Sequence, residues 1–227
     1  MSHYKTGNIL VIPDLHIPAD RDNFLDFIID VKKKYKCDYF YSVGDMFDFH
    51  GMSYHEKETE YPSISEEVKK ARKKIVPWKK AFKKLNICIG NHDLLIYRKA
   101  KTHGFSKEFI KTWNEIFDLP DSWVWERNFT YNNILFMHGI GFSGKYPYAN
   151  AMERHRMNVV MGHTHSSAGV YYSASQKDLL WGMGVGCGVD DEKVVFEYGQ
   201  EYPRKSIISC GVILENGRVP LVIPMEL

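Results

Sequence analysis

The stretch Leu85-Asn86-Ile87-Cys88-Ile89-Gly90-Asn91-His92-Asp93 determines how the rest of the chain is interpreted. Its first part is an apolar run that predicts a buried strand. Glycine then permits a sharp turn and a close approach of the backbone to a ligand. An amide, an imidazole and a carboxylate follow at the carboxyl end of this strand, and ligands bind at that edge of an open α/β sheet. The stretch therefore predicts a functional site where the strand ends.

Four further polar clusters follow predicted apolar strands in the same way. Each cluster alone is weak evidence, because such short motifs are ordinary turn chemistry and a lone histidine is more often structural. Their succession along the chain, each after a strand, is difficult to assign to structure alone. The four clusters are Asp14-Leu15-His16, Gly44-Asp45-Met46-Phe47-Asp48, His138-Gly139 and Gly162-His163-Thr164-His165.

The five clusters together offer carboxylate oxygens, an amide oxygen and imidazole nitrogens, and this donor set predicts a metal site. The mixture suits Mn, Fe, Co, Ni or Zn better than Ca or Mg, and the clusters contain no thiolate that would select zinc. Two divalent metals roughly 3.5–4 Å apart need a bridging anion, which a carboxylate with its two oxygens supplies. We therefore predict two divalent metal ions, with manganese as the first choice.

Strand and helix patterns alternate over the first two thirds of the chain. Apolar runs predict strands at 8–13, 38–43, 85–89, 133–137 and 158–161. Helical spacing predicts helices at 24–34, 106–117 and 148–157, and another that begins at Ser63 or Ser65 and is interrupted at Pro77. The last third is rich in strands, at 170–173, 179–181, 194–198, 207–214 and 219–223, with a hairpin turn at Asn216-Gly217. This order favours an α/β fold with two packed sheets flanked by helices.

Length and composition exclude several classes of protein. The 227 residues predict a single domain, 1–227, with a polar helical insertion at about 50–78. A net charge of +2 is too mild to indicate a nucleic-acid-binding protein by itself. We find no signal-peptide core and no apolar run long enough to span a membrane, so a cytoplasmic protein without a membrane partner is expected. The four cysteines show no C-x-x-C spacing and are expected to be reduced.

In this order, the five clusters resemble the signature of the calcineurin-like metallophosphoesterase superfamily, which is D-x-H, G-D-x-x-D, G-N-H-D/E, H and G-H-x-H. The resemblance runs from Asp14 to His165, and the strand-rich last third fits the second sheet of that family's four-layer αββα fold of mixed sheets. It implies hydrolysis of phosphate esters by in-line attack of a metal-bridging hydroxide, without a phosphoenzyme. The substrate would be a small-molecule or nucleic-acid phosphoester.

The resemblance also implies roles for individual residues. The first metal would be held by Asp14, His16, Asp45 and His165. Asp45 would bridge to a second metal, completed by Asn91, His138 and His163. His92 would be no ligand but would protonate the leaving oxygen or bind the phosphate. Asp48 and Asp93 would orient His92 and the ligands.

One departure from the family pattern bears on the substrate. In the protein Ser/Thr phosphatase branch an arginine follows G-D-x-x-D and grips the phosphate, whereas Phe49 and His50 follow Asp48 here. This counts against a protein phosphatase and favours phosphodiesters over phosphomonoesters. The nuclease branch typically has a histidine in the position of Asp48. The run 49–55 is similar to small prokaryotic and phage-borne members of the superfamily.

Two other functions remain open on the sequence. A nuclease acting on DNA or RNA is supported by a basic stretch, which is otherwise a solvated helix face. The stretch consists of Lys69, Lys70, Arg72, Lys73, Lys74, Lys79, Lys80, Lys83 and Lys84. A non-catalytic metal-binding scaffold is the alternative of another class. Substrate selectivity is expected to reside in the insertion, where Tyr54, His55 and Tyr61 form part of a substrate wall or an exposed loop, and in the loops around 143–148.

Overall fold

The computed structural model describes residues 6–53, 62–191 and 205–226. The predicted strand at 194–198 and the side chains of Tyr54, His55 and Tyr61 lie outside these residues. The helices are α1 (Phe24–Lys34), α2 (Ile64–Ala81), α3 (Leu95–Thr102), α4 (Trp113–Phe117) and α5 (Pro147–His155). The strands are β1 (Asn8–Ile12), β2 (Cys37–Ser42), β3 (Leu85–Cys88), β4 (Trp123–Glu126), β5 (Asn128–Tyr131), β6 (Ile134–Met137), β7 (Asn158–Met161), β8 (Ala168–Ala174), β9 (Leu179–Val185), β10 (Ser209–Leu214) and β11 (Val219–Pro224).

The strands form two mixed sheets. The first has the order β11-β10-β1-β2-β3-β4, in which β1 to β4 are parallel and β10 and β11 are antiparallel to their neighbours. The second has the order β5-β6-β7-β9-β8, with β6, β7 and β9 parallel and an antiparallel strand at each edge. The predicted α/β class with two mixed sheets is confirmed.

Apolar side chains divide the molecule into four layers. Between the sheets, alternate residues of β1 and β2 meet those of β6, β7 and β9, and the rings of Tyr41 and Phe136 stack with centroids 4.1 Å apart. On the outer side of the first sheet, α1 and α2 bury Phe24, Ile75 and Trp78 against β1 and β3. Helix α5 covers the outer side of the second sheet. The predicted αββα arrangement is confirmed.

Parallel strands direct their carboxyl ends to one edge of a sheet. In the first sheet this edge collects the segments that follow β1, β2 and β3, and in the second it collects those that follow β6 and β7. These are the five segments that carry the polar clusters. The topology therefore explains how residues separated by about 150 positions reach one place.

The prediction that Pro77 interrupts its helix is wrong, because α2 continues through this residue to Ala81. Proline removes one backbone hydrogen bond, which costs stability in a helix interior. Here Ile75 and Trp78, on either side of the proline, are both buried in the core, while Pro77 lies on the exposed face. Burial of the flanking side chains holds the helix together.

The single helix predicted at 106–117 is also wrong. The segment forms a short 3₁₀ turn at Lys107–Phe109 and then α4. Thr112 caps α4 by accepting a hydrogen bond from the amide of Glu115, whose carboxylate accepts from the Thr112 amide in return. This capping box starts a new helix in the middle of the segment 106–117, whose helical spacing of apolar residues predicted a single helix. Phe109, in the part before α4, is therefore not packed in the core and is 81% exposed. Helix α3 and strands β4 and β5 were not predicted.

Other expectations hold. The four cysteines are buried and free, as predicted for reduced thiols. Residues 215–217, all with positive φ, turn the chain between the antiparallel strands β10 and β11, so the predicted hairpin is confirmed with a longer turn. Among the described residues, each helix is too short or too polar to cross a bilayer.

In the structure Ser63, not Ser65, is the N-cap residue of α2, and its hydrogen bonds lead to a stability prediction. The Ser63 hydroxyl accepts from the Glu66 amide at 3.3 Å, and the Glu66 carboxylate accepts from the Ser63 amide at 2.9 Å. Ser63→Ala should lower the free energy of unfolding by about 1 kcal/mol, as the loss of an N-cap does. Ser65→Ala, two residues further along, is the matched control. A urea-unfolding series in which Ser65→Ala costs as much as Ser63→Ala would contradict this assignment.

Helix α2 also buries a carboxyl group, Glu67, which is 4% exposed. Burial raises its pKa from 4.5 to about 7, although backbone hydrogen bonds act in the opposite direction. The folded state thus holds this proton more tightly than the unfolded chain does. Its stabilising contribution is complete below pH 4.5 and is lost as the pH rises to about 7.

Unfolding of the metal-free protein and of Glu67→Gln as a function of pH tests this shift. The stability of the unchanged protein relative to Glu67→Gln should fall by about 3 kcal/mol between pH 4.5 and about pH 8. The exposed carboxyl of Glu153 on α5 provides the control variant Glu153→Gln. Parallel stability curves for the unchanged protein and Glu67→Gln would show that the pKa of Glu67 is not raised.

Candidate metal centre

Side chains from all five clusters meet where the two sheets bring their strand ends together. The amide of His163 donates to Asp14 Oδ2 at 2.9 Å, which joins the segment after β7 to the segment after β1. The amide of His92 donates to Asp45 Oδ1 at 2.8 Å, which joins the segments after β3 and β2. His138 Nε2 lies 3.1 Å from Asp45 Oδ2, so the segment after β6 reaches the same carboxylate.

The first group of possible ligands consists of Asp14, His16 and His165, whose ligand atoms lie within 4.8 Å of one another. Asp14 and His16 are buried, and His165 is partly exposed. His165 Nε2 is 3.3 Å from Asp14 Oδ2. The structure therefore brings together three of the four residues that the resemblance assigned to the first metal, and Asp45 Oδ2 is 3.6 Å from His16 Nε2.

The second group consists of Asp45, His138 and His163, again within 4.8 Å. Asn91 joins this group through its Oδ1, which lies 2.9 Å from His138 Nε2. These are the residues assigned to the second metal. The same oxygen of Asp45 faces His138 in one group and His16 in the other, so this carboxylate lies between the two groups.

Hydrogen bonds on the far side of each ring determine which nitrogen faces the centre. His16 Nδ1 donates to Asp48 Oδ1 at 2.8 Å, and His138 Nδ1 donates to the carbonyl of Val43 at 2.9 Å. In both rings the Nε2 atom therefore faces Asp45. Partners of this kind orient metal-binding histidines and fix their tautomer.

Two buried polar atoms of the centre test whether the residues fit a metal. Asp14 Oδ1 and His16 Nε2 have no hydrogen-bond partner among the described residues. Leaving a buried polar atom unpaired costs about 1–3 kcal/mol, and such atoms are rare. Both atoms belong to the first ligand group, and both are of types that bind divalent cations. The carboxylate, amide and imidazole donors thus fit divalent metal ions of the manganese-to-zinc series.

The charges of the centre favour a cation. Burial alone would lower the pKa of His138 and of His92, but neighbouring carboxylates, above all Asp45 and Asp48, raise these values to about 10 and about 9. In the same way burial alone would raise the pKa of Asp45, but the imidazole of His138 holds it well below its usual range. Burial lowers the pKa of His16 and so favours the neutral form of the ring, which is the form that binds metals.

His92 lies beside both groups, and its ring reaches solvent with 20% of its side chain exposed. Its Nδ1 donates to the carbonyl of Asp48 at 2.7 Å and lies 3.0 Å from Asp48 Oδ1. Both partners are acceptors, so Nδ1 carries the hydrogen and Nε2 is available. His92 is also within 4.8 Å of ligand atoms of His16 and Asp45, so three overlapping groups share this centre.

Asp48 and Asp93, the two carboxylates predicted to orient His92 and the ligands, make different kinds of contact. Asp48 contacts the rings of His16 and His92 directly. Asp93 is fully buried, and its oxygens accept from the amides of Gly90 and Phe47 at 2.9 and 3.3 Å. Asp93 thus ties the two loops together and acts on the ligands through the backbone.

The glycines of two motifs are required by the carboxylates beside them. A Cβ at Gly90 would overlap Asp45 Oδ1, and a Cβ at Gly162 would overlap Asp14 Oδ1. Three predicted ligands, His16, Asp45 and His163, have φ of 50°, 45° and 67°. Side chains rarely adopt this left-handed conformation, and residues held in it cluster at functional sites.

Sequence reasoning missed several groups that support the centre. The Val43 carbonyl orients His138, and Trp113 Nε1 donates to the carbonyl of Asp93 at 3.0 Å. Glu67 is not among the candidate ligands. Its carboxylate accepts a hydrogen bond at 2.9 Å from the amide of Gly51, which lies three residues after Asp48. Its spacing from Ala71 and Ile75 on the apolar face of α2 is the signal that could have found it.

The basic stretch divides into two sets. Arg72, Lys74 and Lys79 bind acceptors of the fold, namely the Ile116 carbonyl and the segments of Asp20 and Asp118. The other members, Lys69, Lys70, Lys73, Lys80, Lys83 and Lys84, are exposed.

Comparison with solved structures finds chains that are similar to this one over most of their length. The structure is similar to vacuolar protein sorting 29 of Cryptosporidium parvum, with 16% identity over 98% of this chain and 93% of that one and a TM-score of 0.49. It is also similar to Vps29 of Chaetomium thermophilum, with 12% identity over 98% and 99% and a TM-score of 0.43. A third similar structure is the nuclease MPE of Pseudomonas putida, with 13% identity over 96% and 87% and a TM-score of 0.36.

No curated protein sequence matches the chain. The family model described as calcineurin-like phosphoesterase matches residues 7–181, which is more than half of the chain and includes all five clusters. The protein therefore belongs to the calcineurin-like phosphoesterase family.

Proposed function

We propose that this protein is a phosphoesterase that uses two divalent metal ions, with manganese as the first choice, to hydrolyse phosphodiesters. The observation that carries the proposal is the position of Asp45 between two complete ligand groups, with His92 beside them. Asp14, His16, Asp45 and His165 would hold one metal, and Asp45, Asn91, His138 and His163 the other. When bound, such a pair supplies hydroxide near neutral pH and neutralises the phosphate oxygens.

His92 supplies the proton for the leaving group in this proposal. Asp48 occupies the Nδ1 side of the ring with two acceptors, which leaves Nε2 for the substrate. As the bond between phosphorus and the leaving oxygen breaks, the proton on Nε2 passes to that oxygen, and an alcohol or phenol departs. The neutral ring then takes a proton from solvent. General acids in this position contribute about 10²–10⁴-fold to the rate.

The preference for diesters is supported by the residues that follow Asp48. Phe49 and His50 stand where the protein phosphatase branch has its arginine, and both side chains are buried. A phosphomonoester carries a charge of about −1.5 to −2 at neutral pH, whereas a diester carries less. The segment after Asp48 thus provides no cation for the second charge of a monoester.

A nuclease acting on DNA or RNA is the second candidate, and the six exposed lysines of the basic stretch favour it. Nucleic-acid binding by such residues weakens steeply with salt. The scaffold alternative is disfavoured, because every predicted ligand and His92 are present and converge.

We also infer a reducing compartment such as the cytoplasm, since all four cysteines are free thiols.

The division of labour between His92 and Asp45 can be tested by substitution. His92→Ala should lower kcat with Mn(II) by at least about 10²-fold while two metals per chain are retained. Asp45→Ala should lose bound metal as well as activity, because both groups share this carboxylate. Turnover of a model diester and metal content of the same preparations are measured together.

The exposed His103 gives the matched control, and His103→Ala should behave like the unchanged protein. Full activity of His92→Ala would contradict the general-acid role. Unchanged metal content in Asp45→Ala would contradict its bridging position.

The substrate class can be tested with bis(4-nitrophenyl) phosphate, 4-nitrophenyl phosphate and a single-stranded oligonucleotide. We expect kcat/KM to be higher for the diester than for the monoester, because no arginine follows Asp48 to bind the second charge of a monoester. Cleavage of the oligonucleotide with steep salt dependence would favour the nuclease candidate. A strong preference for the monoester would overturn the proposed diester activity, and no metal-dependent turnover of any substrate would overturn catalysis.

A further inference from the structure

We propose that Glu67 of α2 is a positioning residue for His92, and that it acts through the peptide unit between Asp48 and Phe49. The inference rests on the proposed function, in which His92 protonates the leaving oxygen. Glu67 lies outside the five polar clusters, and its carboxylate binds the turn that follows Asp48.

The carboxylate of Glu67 is the anchor of the turn that follows Asp48. The side chain is buried on the core face of α2, and Oε2 accepts from the Gly51 amide at 2.9 Å. The backbone N–H groups of Phe49 and His50 also lie near this carboxyl group and lower its pKa. Three successive amides of the turn thus surround one buried carboxyl group, and that of Gly51 donates to it directly.

One of these amides shares a rigid unit with the partner of His92. The carbonyl of Asp48 and the N–H of Phe49 belong to the same planar peptide group, in which they point in opposite directions. His92 Nδ1 donates to that carbonyl at 2.7 Å, while the N–H on the other side lies near the Glu67 carboxyl group and lowers its pKa. A shift of the Glu67 carboxylate therefore tilts the carbonyl that fixes the His92 ring.

The turn needs such an anchor because its backbone is in an unfavourable conformation. Phe49 has φ of 50°, which is rare for a bulky side chain and persists only when the surroundings enforce it. Its ring is held at centroid distances of 6.2 Å from Phe47 and 5.6 Å from Phe117. Those contacts hold the side chain, and Glu67 holds the backbone.

Gly51 shows that the turn and α2 are closely fitted to each other. A Cβ at this position would lie 3.0 Å from the Ile64 Cα and 3.1 Å from Glu67 Oε2. Glycine lets the turn approach the helix closely enough for its amide to reach the carboxylate. The contact is thus built from both elements.

Diesters with leaving groups of different basicity distinguish positioning from general stability. Phenoxide depends more on a general acid than 4-nitrophenoxide does, because it is the more basic leaving group. Glu67→Gln should therefore lower kcat with Mn(II) about tenfold more for diphenyl phosphate than for bis(4-nitrophenyl) phosphate, within the range known for partners that orient active-site groups. Metal content should be unchanged, and the Gly51 amide of the metal-free protein should exchange its hydrogen faster.

Ile75→Ala is the matched control, because Ile75 is buried on the same face of α2 but has no polar group that could bind the amides of the turn. It should lower the activity towards both substrates by the same factor. Glu67→Asp keeps the charge but withdraws the carboxylate, so it should reproduce the selective loss if Glu67→Gln does not fold.

The results separate this inference from the proposed function. Equal losses for both diesters in the Glu67 variants, or unchanged exchange at Gly51, would overturn the positioning role while the phosphoesterase stands. No metal-dependent turnover by the unchanged protein would overturn the proposed function and the role of Glu67 with it.

Discussion

The burial of the Asp45 carboxylate at the junction of the two sheets is the constraint on which the rest of the structure depends. The side chain is 2% exposed, and its oxygens contact the amide of His92 and the imidazole of His138. A buried carboxylate without such partners would be very unfavourable. Its backbone is left-handed and its neighbour Gly90 has no side chain, so both the turn and the adjacent strand end are adapted to this one group.

The two sheets contribute unequal chemistry to the centre. The first sheet supplies the carboxylates, the amide and two imidazoles, whereas the second supplies only the imidazoles of His138, His163 and His165. The group of Asp14, His16 and His165 and the group of Asp45, His138 and His163 each contain residues from both sheets. The centre therefore forms only when the sheets pack, and apolar contacts such as the stacked rings of Tyr41 and Phe136 determine the distance between donor atoms. Function in this fold depends on the core between the sheets as much as on the ligands themselves.

The sequence predicted the parts of this arrangement that local patterns encode. Apolar runs followed by glycine and polar residues located the strand ends, and the donor types indicated a metal. Pro77 shows where local rules fail, because burial of Ile75 and Trp78 outweighs the hydrogen bond that proline removes. The capping box at Thr112 shows the reverse, since a local signal there outweighs an apolar period. The tie between Glu67 and the turn after Asp48 joins residues of two separate elements, and no pattern in a single sequence reports such a contact.

The most direct test of the account is anomalous diffraction from crystals of the protein soaked in manganese. We expect two peaks about 3.5–4 Å apart, on either side of the Asp45 carboxylate. One peak should lie against Asp14, His16 and His165, and the other against Asn91, His138 and His163. Crystals that show no peak at Asp45, or manganese bound only elsewhere on the molecule, would contradict the central claim.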